Sequence, residues 1–115
     1  MRRGDIVLVD LDPSLGAEAG KVRPAVIVSN DGANATSDRL RRGVITVVPV
    51  TSNIRRIYPF QVLLPAALTG LDNDAKAQAE QLRAVAVERI GRPIGRLPPG
   101  LLASLDEALR LHLAL

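Results

Sequence analysis

The residue types that usually carry catalysis are scarce in this chain, and the scarcity narrows the chemistry. With no cysteine there is no thiolate nucleophile, no thiolate-held zinc and no disulfide framework. The only histidine, His112, sits beside a leucine stripe at the very end of the chain. There it reads as a helix-end residue helped by the dipole rather than as an acid–base partner. The close aspartate pairs, Asp10/Asp12 and Asp72/Asp74, flank turn signals, where aspartate satisfies the backbone more often than it binds metal. Neither standard glycine-rich phosphate loop is present. Neither a metal nor a cofactor is expected.

Polar residues gathered at the ends of apolar runs are what remain. Glu18, Lys21 and Arg23 lie just before Ala25–Ser29; Thr51, Ser52 and Asn53 follow Val44–Val50; Gln81 and Arg83 close an alternating segment. Of the 15 cations, 13 are arginine, whose planar fork suits phosphate where lysine offers a point charge. A net charge of +3 is too small to identify a nucleic-acid binder, and a G+C-rich genome would also enrich arginine. Taken one at a time, each candidate reads better as turn chemistry or solvated charge than as a functional group.

The elements that position these residues are short strands and one helix. Asp5–Leu11 is apolar and β-branched and stops at Asp12-Pro13. Ser14–Lys21 is a loop by composition. Arg23-Pro24 opens a buried-strand pattern, with proline acceptable at a strand start. Asn30–Arg42 reads as a loop with at most one helical turn. Val44–Val50 and Tyr58–Leu64 are further strands. Within Ala75–Gln81 propensity favours helix, but Lys76, Gln78 and Glu80 alternate with alanines, which favours strand. Arg92–Leu97 is a last short strand. Leu102, Leu105, Leu109 and Leu113 then form one face of a terminal helix entered near Pro99. The 115 residues make one domain, mainly β with a C-terminal helix. No run is long enough to span a membrane and no segment has the order of a signal peptide, so a cytoplasmic protein is expected.

Several blocks together resemble the MazF/PemK/Kid toxins. They are Arg3-Gly4-Asp5-Ile6-Val7-Leu8-Val9-Asp10-Leu11-Asp12-Pro13, Gly16-Ala17-Glu18, Arg23-Pro24-Ala25-Val26-Ile27-Val28-Ser29, Val48-Pro49-Val50-Thr51-Ser52-Asn53, Tyr58-Pro59-Phe60-Gln61-Val62-Leu63-Leu64 and Ala79-Glu80-Gln81-Leu82-Arg83. Order and spacing match over essentially the whole chain. The resemblance implies a compact SH3-like barrel of the MazF/Kid/CcdB plasmid-toxin type, acting as a homodimer. It also implies metal-independent cleavage of single-stranded RNA to 2′,3′-cyclic phosphate and 5′-hydroxyl ends, and a MazE-like antitoxin as partner. Arg23 and Thr51 match the family's catalytic pair, and Glu18 a glutamate assigned a part in activity. Lys21, Ser52, Asn53, Gln81 and Arg83 are then RNA-binding candidates.

The chain departs from the family at Leu8, where tryptophan is frequent, and at Ala17 and Ala19, where polar residues are frequent. The cut sequence of relatives is therefore not transferred. Two other readings remain at this level: a gyrase-poisoning toxin of the CcdB type, and a non-catalytic RNA-binding barrel. The first is disfavoured because that type acts through a tryptophan-containing terminal segment, and this chain has no tryptophan.

Overall fold

In the computed structural model, which describes residues 1–115, the long apolar run becomes β3 (Val44–Thr51), and the sheet is organised around it. β2 (Val22–Ile27) pairs antiparallel along one edge of β3; β1 (Asp5–Asp10) continues outward from β2, and β7 (Ile90–Arg96) from β1. The other edge of β3 is shared. Its first half pairs β6 (Arg83–Ala86) and its end pairs β5 (Ala75–Gln78), which in turn pairs β4 (Gln61–Leu64). The result is a seven-stranded antiparallel sheet. No helix is long and apolar enough to cross a membrane.

The shared edge resolves the conflict between periodicity and propensity in 75–83. Ala75–Gln78 is strand, as alternation suggests, with Ala75 and Ala77 buried on one face. Ala79–Gln81 then turns once as a 3-10 helix before β6 resumes along β3. The strand reading therefore holds for the first part and fails for the turn. The alanines tolerate either geometry, so composition carries no boundary.

One expectation is corrected. Asn30–Arg42 contains a ten-residue helix, α1 (Asp31–Leu40), not a loop with one turn. Asn30 caps it, its side chain accepting the Ala33 amide at 2.8 Å, and Arg41 ends it in the left-handed region. The helix packs through polar groups, so no apolar stripe announces it. Asn34 is fully buried and donates to the Ser29 carbonyl at 2.9 Å, while the Ser29 hydroxyl bonds the Asn34 side-chain oxygen at 2.5 Å. A short helix, α2 (Ala66–Thr69), separates β4 from β5.

The terminal helix α3 (Pro99–Leu113) begins as expected, with proline in its first turn. Leu105 and Ala108 are buried against the sheet and Leu102 and Leu109 pack at the margin, but Leu113 at the end of the stripe is exposed. The sheet thus carries apolar clusters on both faces. One joins Ile6, Val26, Val48, Val50 and Leu64 to α3; the other gathers Val7, Val9, Leu11, Ala25, Ile27, Val47 and Val85. That is why the strands read as nearly continuous apolar runs.

Candidate active site

Register, rather than proximity in sequence, assembles the site. Ala25 stands opposite Pro49 and Val26 opposite Val48. Carried two residues further, that register sets Arg23 across from Thr51. Thr51 itself pairs with Lys76, and Lys76 with Leu63. Residues directly opposite share a face, with Cβ atoms about 4.5–5.5 Å apart. Thr51 and Lys76 are therefore neighbours on one face, and Arg23 lies on the continuation of that row, two residues beyond the last β2–β3 pair and on the side of the apolar cluster that holds Ala25 and Val47.

The half-buried Arg23 is fixed at one end only. Its Nε donates to the Gly20 carbonyl at 2.8 Å, and no carboxylate pairs with it, so the two Nη groups are open. Thr51 is also half-buried. Its hydroxyl oxygen accepts the Asn53 amide at 3.3 Å and keeps its proton to donate. Asn53 repeats the pattern, accepting the Arg55 amide at 3.3 Å, so Thr51 and Asn53 turn the chain out of β3 as side-chain turns. The turn reading and the functional reading of Thr51 are compatible, because the turn uses only a lone pair.

The loop between β1 and β2 carries Glu18, and three ties hold it. At its neck the Asp12 carboxylate accepts the Lys21 amide at 2.8 Å, and the Leu11 amide bonds the Lys21 carbonyl at 2.9 Å. Lys21 itself takes a positive φ and its side chain is exposed. At the tip Gln81 accepts the Ala19 amide and donates to the Ala17 carbonyl, both at 3.0 Å, so it brackets Glu18. Arg83 donates to the Leu11 carbonyl at 3.1 Å. Gln81 and Arg83 are thus tied to the loop backbone. Glu18 is exposed between the two bonds to Gln81, with no partner for its carboxylate.

A cleft of about 620 Å³ is lined by Arg23 and Ser52, but not by Thr51, Lys76 or Glu18. Its walls are apolar at Leu8, Pro24 and Ile94, and polar at Asp72, Asn73 and Arg92. Arg92 and Asn73 escaped the sequence reading because both sit in stretches that read as strand and turn. Lys76 escaped it too, although its place on the polar phase of an alternating strand is a visible signal. So did Glu80, whose Oε2 accepts from Gln61 at 2.5 Å while its buried Oε1 has no hydrogen-bond partner. Nowhere do three or more His, Cys, Asp or Glu side chains converge.

Residues 2–113 match the family described as PemK-like, MazF-like toxin of type II toxin-antitoxin system. The chain is 68% identical over its full length to endoribonuclease MazF9 of Mycobacterium tuberculosis, covering 98% of that protein. It is 32% identical over its full length to endoribonuclease EndoA of Bacillus subtilis, covering 96% of it. Among solved structures, MazF of Deinococcus radiodurans superposes with a TM-score of 0.79 at 26% identity, over 100% of this chain and 97% of that one. A MazE-MazF structure from the same organism matches with a TM-score of 0.76 at 28% identity, over 100% of this chain and 96% of that one.

Proposed function

The chain belongs to the PemK-like, MazF-like toxin family, and from that membership we propose how it works: as an endoribonuclease, the RNA-cleaving toxin of a toxin–antitoxin pair. The observation that supports an arginine-centred site most directly is the open Nη fork of Arg23, held by its Nε alone near the end of β2 on the continuation of the register that leads to Thr51. The substrate is single-stranded RNA. Its 2′-oxygen attacks the neighbouring phosphorus, the bond to the 5′-oxygen breaks, and a 2′,3′-cyclic phosphate and a 5′-hydroxyl result.

Such a cleavage needs the 2′-hydroxyl proton removed, the charge on the crowded phosphorus held, and a proton delivered to the leaving oxygen. A guanidinium fork spans two non-bridging oxygens and is suited to the second task. A guanidinium gives up a proton reluctantly near neutrality, so Arg23 acts first by holding charge and only second as a donor. Thr51 donates its hydroxyl to the same phosphate. Glu18, exposed on the clamped loop, takes the 2′-hydroxyl proton. Lys21, Ser52 and Asn53 contact the RNA near the reacting phosphate, with Gln81 and Arg83 along the groove that follows. No step calls for a metal. Gyrase poisoning is set aside, because the full-length relatives are endoribonucleases by name.

The chain acts in the cytoplasm, where its substrate is, and as a homodimer; exposed Leu111, Leu113 and Leu115 leave apolar surface for a second copy. Its inhibitor is a MazE-like antitoxin, as the Deinococcus complex suggests. The test is digestion of mixed-sequence single-stranded RNA in EDTA, with analysis of the ends. Cleavage to cyclic phosphates and 5′-hydroxyls is expected. Loss of cleavage with chelator, or 5′-phosphate products, overturns the mechanism.

A further inference from the structure

Lys76 is the only charged residue that is buried, at 8% exposure. It forms no ion pair with any carboxylate of the chain. Its Nζ donates to the Arg56 carbonyl at 2.7 Å and lies 6.0 Å from the centre of the Tyr58 ring. A carbonyl and an aromatic face are weak compensation for an ammonium taken out of water, and buried charges are ordinarily paired. The partner this cation lacks is an anion. Its position says which, because Lys76 stands directly opposite Thr51.

We propose that Lys76 is a third substrate-binding cation of the site, placing its ammonium against a phosphate of the bound RNA next to the one held by Arg23 and Thr51. The proposal rests on the RNA-cleaving reading above. One Nζ proton is committed to Arg56, which leaves two for phosphate oxygens. The same bond fixes the loop 52–60, so the cation and the loop that carries Arg55 and Arg56 are set together. Tyr58 stacks on Phe60 with ring centres 5.4 Å apart, and the Arg56 guanidinium lies 4.7 Å from the Tyr58 ring centre. Lys76 thus borders a surface that pairs charge with aromatic faces, as single-stranded nucleic acid requires.

A residue that merely pins the loop would have the same bond to Arg56, so the test must read charge. The affinity for an uncleavable 2′-O-methyl single-stranded RNA is measured by anisotropy over a range of salt, for wild type, K76R, K76Q and K76M. Each phosphate neutralised on a single strand contributes about 0.7 to the slope of log affinity against log salt. The slope should fall by about that amount in K76Q and K76M and stay near wild type in K76R. K76Q keeps a donor for the Arg56 carbonyl, so a wild-type slope in K76Q reduces Lys76 to a loop pin. A measurement on the unaltered protein guards against variants that do not fold. The chain has two lysines, Lys21 and Lys76, so protein labelled with 15N at Nζ gives two assignable signals. RNA should shift that of Lys76, and an unmoved signal overturns the proposal. A wild-type protein that neither cleaves nor binds RNA instead defeats the functional reading itself.

Discussion

Gln81 grips the first loop at Ala19, accepting its amide at 3.0 Å, and closes the grip by donating to the Ala17 carbonyl at the same distance. A residue expected to lie along the substrate therefore also holds the backbone on either side of Glu18. Q81A removes both bonds, each worth about 1 kcal/mol in this partly exposed place. The fold should survive with a small loss of stability, while cleavage falls by about tenfold and protease nicking within 14–20 rises. Undiminished cleavage would show that the clamp does not serve the reaction.

Arg23 gives the steepest prediction. R23A should cut single-turnover cleavage by about 100-fold or more, the cost of losing one charge-stabilising donor set. R23K should recover little of it, because an ammonium cannot span two phosphate oxygens. Thermal melting should change by far less than activity in both. Recovery by lysine to within a few fold would mean that only net charge matters at this position.

E18Q tests the base. If the Glu18 carboxylate takes the 2′-hydroxyl proton, the variant should lose activity near neutral pH while keeping its affinity for an uncleavable RNA. E80Q is the companion, since Glu80 is the carboxylate with a buried oxygen left without a partner. Full activity in E18Q transfers the role to another group.

Asp31 gives a pH dependence of stability. The Arg3 amide donates to its carboxylate at 2.7 Å and holds its pKa below the usual value; desolvation opposes this, and the Asn34 amide and the charges of Arg2 and Arg96 add to the lowering. A carboxylate with a depressed folded-state pKa contributes stability above its unfolded pKa and loses it as pH falls through the folded one. Denaturant midpoints should therefore decline on acidification below about pH 4, the unfolded aspartate range. D31N should start lower near neutrality and decline less.

Gly95 is a steric requirement of the sheet edge. A Cβ there would be driven into the Thr69 carbonyl oxygen and crowd Ile6. G95A should destabilise the fold by about 1–3 kcal/mol, as overpacking does, and lower the melting temperature without changing the RNA salt dependence.

How far the sequence was legible follows from what each element hides. Strands between turn signals and the stripe of α3 announce themselves, because their packing is apolar and periodic. α1 does not, because Asn34 and Ser37 face inward and its contacts are hydrogen bonds. Arg23 and Thr51 could be named from blocks that resemble a family, but nothing local sets them side by side. That depends on pairing between β2 and β3. Lys76 was visible as a polar residue on an alternating strand; that it faces Thr51 follows only from register.

The row across β2, β3 and β5 also has a consequence for the timing of activity during synthesis. Its three members lie far apart in the chain, and the clamp on Glu18 arrives only with Gln81. A nascent or prematurely terminated chain that stops before β5 has Arg23 and Thr51 but neither the third cation nor the fastened loop. The tie between Lys76 and the 52–60 loop and the clamp on Glu18 are therefore complete only once the chain extends through Gln81.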